Sequence, residues 1–258
     1  MIKELYTAAM GMMSQQTRLE VVSNNIANAS TVGFKRDSVF ERNLVDSKAS
    51  LYNMAGTADQ NDPPIGSYID FSNGSFAQTG NDFDLAIDGN GFFLLNDEQG
   101  REFLTRAGNF KINEEGNVIS ANGKLLMSDG GPVNIYNTLD GDTFNSDTRN
   151  AEVKVDNSGE IFVNNVSMGS LKIVQVSNNV VLEKISSSDF ILTDDYQYNQ
   201  LNSTDVKIRQ GWLENSNVNV IDEMVEMINL QRQFDAGSKV ISTNEGTLEQ
   251  SISLGKFF

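Results

Sequence analysis

Apolar side chains recur every seven residues at the two ends of the chain, and short alternating runs separated by turn residues fill the middle. Near the N-terminus, Leu5, Met12, Leu19 and Ile26 are spaced by seven, and Ala8, Gln15, Val22 and Ala29 interleave three residues after each. This is a heptad seam, the spacing at which helices pack side by side. The period returns only after Gly211, where Met227, Phe234, Ile241 and Leu248 repeat by seven beside Met224, Gln231, Ser238, Glu245 and Ile252. Ile221, Met224, Val225 and Ile228 share one face of that second helix. Asn217 or Asn219 is its expected N-cap, and Asp222 and Glu223 in the first turn suit the helix dipole.

The seams are poor ones for an isolated hairpin. Gly11, Gly237, Gly246 and Gly255 interrupt the helices, and Gln15, Gln231, Ser238 and Glu245 occupy seam positions. A two-helix pair of this quality is marginal in water. Further copies that cover its other faces explain the small and amide residues better than an ordinary intramolecular hairpin does.

Between the ends the pattern is β. "GFFLL" (Gly91–Leu95) runs into "NDEQG", and "EFLTRAGNFKI" (Glu102–Ile112) into "NEEGN". "ANGKLL" carries an Asn122–Gly123 turn, and "EVKVDNSGEIFV", "GSLKIVQV" and "VVLEKI" follow. Such runs, closed by Asn, Asp and Gly, read as antiparallel strands and hairpins. Phe83, Leu85, Ile87, Phe92, Phe93, Phe103, Phe110 and Ile112 are the expected β core. The fold class is therefore α+β. Residues 1–36 and 212–258 are expected to form a coiled-coil domain of terminal helices, 37–78 a linker or arm, and 79–211 an inserted, mainly antiparallel β domain.

Composition narrows the function. The chain has 258 residues, no His and no Cys. The commonest general base, thiol nucleophiles and the two commonest metal-ligating side chains are missing. A net charge of −16 argues against nucleic acid and anionic lipid. Residues 1–36 carry +2 and residues 211–258 carry −4, which favours their meeting, although exposed pairs contribute little. No apolar run spans a bilayer, and "AAMGMM" is too short for the core of a cleaved signal.

The turns "DEQG", "EEGN" and "DNSGE" lack the spacing of a calcium loop and read as Gly-closed hairpins. "DGDTFNSD" (Asp140–Asp147) reads as an acidic surface loop, and "DGNGF" (Asp88–Phe92) lacks the setting of a phosphate cradle. Trp212 offers a single Trp platform for a sugar. No catalytic constellation, cofactor site or metal site emerges. A secreted calcium- or carbohydrate-binding β module with a helical hairpin is the alternative reading.

The stretch "AAMGMMSQQTRLEVVSNNIANASTVGFKR" (Ala8–Arg36) resembles the N-terminal signature of bacterial flagellar rod and hook proteins. "LENSNVNVIDEMVEMINLQRQFDAGSKVI" (Leu213–Ile241) resembles their C-terminal signature, and Gly74–Leu95 and Phe103–Leu126 resemble their β domain. The resemblance implies a structural rod subunit without enzymatic activity that self-assembles helically into the driveshaft. Its length resembles rod proteins of the proximal or distal type, with "STVGFKRDSVFERNL" favouring the proximal.

The implied partners are further copies, other rod and hook proteins and the type III flagellar export apparatus, with no nucleic acid and no membrane insertion. The implied location is the basal-body rod in the periplasmic space, reached without signal cleavage. The implied assembly residues are Leu5, Met12, Leu19, Val22, Asn24, Asn25, Ile26, Asn28, Gly33 and Phe34, with Met224, Met227, Phe234, Ile241 and Leu248. Asn24, Asn25, Asn28 and Thr31 are expected where the helix ends, and Gly33 where the chain turns. The chain departs from the family pattern at Glu245, Gly246 and the terminal "GKFF".

Overall fold

The computed structural model describes residues 2–41, 65–136, 152–176, 182–192, 198–201 and 207–255. The side chains of 2–10, 41, 65, 245 and 248–255 lie outside that description, as does the acidic loop Asp140–Asp147. The architecture is α+β, in two compact units. The first holds residues 1–27, 36–70 and 218–258, and the second 28–35 and 71–217.

In the first unit, α1 (Ile2–Ala27) packs along α2 (Val220–Gly255). Strands β1 (Asp37–Glu41) and β2 (Ile65–Ile69) pair antiparallel, so part of the expected arm is a two-stranded ribbon. Asn219 is the N-cap: its Oδ1 accepts the Ile221 N–H at 3.1 Å, and its side-chain amide donates to Asp222 at 2.6 Å.

The helices run antiparallel. Asn25 of α1 meets Glu223 of α2 at 3.2 Å, and Met12 lies against Gly237, where an added Cβ would come 3.3 Å from Met12 Cγ. Thirteen residues along α1 thus match fourteen along α2, about 20 Å at 1.5 Å per residue. Leu230 falls between these two contacts and is 1% exposed.

The helix pair corrects one column of the expected seam. Met227, Phe234 and Ile241 are half-buried, but the interleaved positions Met224, Gln231 and Ser238 are exposed. The column turned towards α1 lies one residue earlier: Glu223, Leu230 and Gly237. Alternating with Met227, Phe234 and Ile241, it keeps the three-four spacing. A carboxylate and a glycine hold two of its places, so the sequence pattern pointed to the adjacent column, which begins with Met224.

In the second unit the strands are β3 (Phe76–Gln78), β4 (Leu85–Ile87), β5 (Phe92–Asn96), β6 (Glu102–Thr105), β7 (Lys111–Ile112), β8 (Val118–Ile119), β9 (Leu125–Ser128) and β10 (Gly131–Pro132). There follow β11 (Val153–Val155), β12 (Glu160–Val163), β13 (Val166–Ser170), β14 (Ile173–Gln175), β15 (Leu182–Lys184), β16 (Asp189–Leu192), β17 (Asn199–Gln200), β18 (Ile208–Gln210) and β19 (Trp212–Glu214). All the pairings among the described residues are antiparallel. One sheet runs β15-β16-β6-β5-β9-β8-β7, with β14 also on β5; β11, β12 and β13 form another, and β18 pairs with β4 and β19 with β3.

The central strand β5 is covered on both faces. Phe93 and Leu95 point into the main core, where Phe93 meets Phe110 edge-on at 5.2 Å. Phe92 points the other way, into a cluster with Phe71 and Phe190. Alternation by two explains this division, and the all-apolar run explains why both faces need cover.

The run Glu102–Ile112 forms two strands rather than one. Thr105 Oγ1 accepts the Ala107 N–H at 3.1 Å, and the chain turns out of the sheet at Arg106, whose side chain is buried. Ile112, expected in the core, is 38% exposed, because its two-residue strand lies at the sheet edge.

The hairpin turns repeat one wiring. Asp97, Asn113 and Asp156 each accept, on Oδ1, the N–H groups two and four residues ahead. The glycine three residues on donates back to the first carbonyl in each, and again in the Ser120–Lys124 turn. Gly100, Gly116, Gly123 and Gly159 have φ of 78°, 83°, 78° and 86°, which explains their identity.

Candidate functional site

Two carboxylates from the C-terminal signature bind residues of the N-terminal signature, one in each unit. In the second unit, Glu214 on β19 is 1% exposed. It accepts from Lys35 Nζ at 2.7 Å, from Arg106 Nη1 at 3.3 Å and from the Gly74 N–H at 3.0 Å. Lys35 Nζ also donates to the Ser72 carbonyl at 2.8 Å, and Arg106 to the Ile87 and Gly89 carbonyls.

Burial pushes the Arg106 guanidinium below its ordinary pKa, against the opposing pull of Glu214. Its Nε is buried without a hydrogen-bond partner. A carboxylate between two buried cations is tolerable only when well hydrogen-bonded, and both oxygens of Glu214 accept here.

The segment that delivers Lys35 is itself seated in this unit. The Gly33 N–H donates to the Glu214 carbonyl at 2.8 Å, and a Cβ at Gly33 would stand 2.3 Å from the Ala107 nitrogen. With φ at 67°, Gly33 is required by close approach and by conformation together. Phe34 is fully buried, with Lys184 Nζ 3.8 Å from its ring centroid.

In the first unit, Glu223 is 2% exposed and Asn25 fully buried. Asn25 Nδ2 donates to Glu223 at 3.2 Å and to the Asp37 carbonyl at 2.8 Å, while its Oδ1 accepts the Asp37 N–H at 2.9 Å. The amide thus pairs with Asp37 as a neighbouring strand would. Arg36 completes the group, its Nε donating to Glu223 and its Nη1 to Ser38 at 3.0 Å.

The sequence-derived residues divide by environment. Val22, Asn25, Gly33 and Phe34 are buried; Met12, Leu19, Ile26, Asn28, Met227, Phe234 and Ile241 are half-buried; Asn24 and Met224 are exposed. The side chains of Leu5 and Leu248 lie outside the described residues. Asn28 Oδ1 accepts from the Thr31 hydroxyl at 3.3 Å in the turn after α1. Sequence reasoning missed Lys35, Arg36, Arg106, Glu214, Glu223 and Leu230. The opposite charges of the two ends were the available signal, discounted because such pairs were expected to be exposed; Lys35 and Glu214 are both 1% exposed.

Other chemistry finds little support. The turn oxygens of Asp97 and Asp156 are occupied by backbone N–H groups. Trp212 carries the Arg209 guanidinium at 5.9 Å from its ring centroid, and Phe76 the same group at 5.4 Å, so the one Trp available to a sugar already faces a cation.

Three sequence profiles match the chain. "Flagella basal body rod protein" covers residues 5–35, "Flagellar hook protein FlgE/F/G D1 domain" 86–163 and "Flagellar basal body rod FlgEFG protein C-terminal" 209–254. The flagellar basal-body rod protein FlgG of Bacillus subtilis (strain 168) is 32% identical, over 98% of this chain and 99% of its own. The rod protein FlgF of Buchnera aphidicola subsp. Schizaphis graminum is 31% identical, over 98% and 96%. FlgG of Agrobacterium fabrum is 29% identical, over 94% and 95%. The chain belongs to the flagellar basal-body rod protein family and is a structural subunit of that rod, not an enzyme.

Proposed function

We propose that this subunit assembles helically with copies of itself and with other rod and hook proteins, and that the resulting tube transmits torque from motor to hook. In this reading α1 and α2, the helices within residues 1–36 and 212–258, form an axial coiled coil, with 37–78 an arm and 79–211 a β domain outside it. The chain leaves the cytoplasm through the type III flagellar export apparatus, without signal cleavage, and its rod segment stands in the periplasmic space. "STVGFKRDSVFERNL" favours the proximal segment.

One observation carries the reading. While Glu223, Leu230 and Gly237 of α2 face α1, Ile221, Met224, Val225 and Ile228 are exposed by 72%, 52%, 54% and 48%. A helix with a second apolar stripe needs a second neighbour. Electron microscopy of basal bodies tests this in a strain lacking the protein, complemented with wild type or with Val225→Asp. The deletion is expected to lack a rod segment, and Val225→Asp to be made and exported without restoring it. A complete rod in the deletion strain, or full rescue by Val225→Asp, would sink the proposal.

A further inference from the structure

We infer that the group formed by the buried Asn25 and Glu223 with the half-buried Arg36 sets the register of α1 against α2, and that the apolar seam does not. The seam residues of α2 are Met227, Leu230, Phe234, Gly237 and Ile241, five apolar or small side chains at heptad spacing. Sliding α2 by seven residues puts Leu230 where Glu223 stood and keeps apolar residues on the inner face. Such a seam discriminates weakly between registers.

The polar group discriminates strongly. It is satisfied only when Asn25 stands level with Glu223, because one amide must reach the Glu223 carboxylate and both backbone groups of Asp37. A seven-residue slip leaves a fully buried amide facing Leu230 and removes the partners of a carboxylate that is 2% exposed. Buried polar groups left unpaired penalise the wrong arrangement more than they favour the right one. Met12, seated over Gly237, is a second and weaker marker, since a slipped helix would offer it Leu230 or Asn244.

The group also ties this register to the ribbon. Asn25 holds the first residue of β1, and Arg36 links Glu223 to Ser38. The end of α1, the start of α2 and the root of β1 are therefore fixed together.

The absence of Cys makes the test direct. Met13 and Met224 are 64% and 52% exposed, so both can be changed to Cys and spin-labelled without touching the inner face. Distances are measured on the full chain, in an osmolyte concentration at which the labelled parent gives one narrow distribution. The comparison is the same chain with Asn25→Leu and Glu223→Leu, which replaces the polar group by apolar side chains of similar size. Far-UV circular dichroism follows helix content in both.

A second distance population is expected, displaced by up to about 10 Å, which is seven residues at 1.5 Å each, with helix content unchanged. A single unshifted distance in the Leu pair would overturn the inference. Loss of helix without a displaced population would also overturn it, because the group would then hold the helices together without choosing their register.

Discussion

The Nζ of Lys35 lies 2.7 Å from Oε1 of Glu214, across 179 positions of sequence and with both side chains 1% exposed. Glu214 also neutralises Arg106, so one carboxylate serves two buried cations. Replacing it by Gln keeps the shape and leaves two positive charges uncompensated. Glu214→Gln is expected to destabilise the β unit by about 3–5 kcal/mol. Urea unfolding followed by the single Trp, Trp212, measures this from the same strand, β19. A loss below about 1 kcal/mol, the range of exposed pairs, would show that the charges are hydrated.

Gly33→Ala tests the seat of the same segment. The added methyl would meet the Ala107 nitrogen at 2.3 Å, and the backbone would be held at a φ of 67°. The conformation alone costs about 1–3 kcal/mol, and the overlap adds to it. The variant should unfold at lower urea with an unchanged m-value. Wild-type stability in this variant would mean that the segment lifts away from Ala107 at little cost.

Leu230 and Met224 distinguish the two faces of α2. Leu230 is 1% exposed, so Leu230→Ala should cost the helix pair about 2–5 kcal/mol. Met224 is 52% exposed, so Met224→Ala should change subunit stability by less than about 0.5 kcal/mol while weakening assembly. Thermal melts of helix content and sedimentation of the assembled material measure the two effects. If Met224→Ala destabilised the subunit as much as Leu230→Ala, the column correction would be wrong.

Asp156 predicts an acid-sensitive turn. Burial raises its pKa, but the hydrogen bonds from the Ser158 hydroxyl and the turn N–H groups outweigh this, and the net shift is downward from 3.8. A folded value below the unfolded one contributes stability that is complete above the unfolded pKa and is lost as pH falls through the folded value. The stability difference between wild type and Asp156→Asn should therefore be constant from pH 7 to about pH 5, then shrink as pH falls below the 3.8 reference. Denaturant melts across that range measure it, and a difference growing towards acid would reverse the assigned sign.

The parts of the fold that were legible in the sequence are local. The Asn219 cap acts within four residues, and the Asn122–Gly123 turn closes between Ser120 and Lys124. The heptad column of Met227, Phe234 and Ile241 could be found because each member is apolar. Its companion was misplaced by one residue because Glu223 reads as a dipole partner and Gly237 as an interruption, while Met224 looks the better seam residue.

The buried polar contacts were legible only as an opposite net charge of the two ends. Lys35 and Glu214 are 179 residues apart and Asn25 and Glu223 are 198 apart, and a charged residue in a linear sequence looks the same whether hydrated or buried. Ile112 failed for the opposite reason. Its apolar alternation was correct, but its strand ended up on an edge.

The distance along the chain between Lys35 and Glu214 orders events in time. A ribosome adding about 5–20 residues per second makes Lys35 roughly 10–35 s before its counter-charge exists. Until then the ammonium group has every reason to stay in water, and the same holds for the Arg106 guanidinium. Chains threaded N-terminus first through a narrow passage meet the same delay. The local turns can close as they emerge, but the charged interior is sealed only when Glu214 arrives, 179 positions after Lys35, so a growing or threading chain remains unlocked until then.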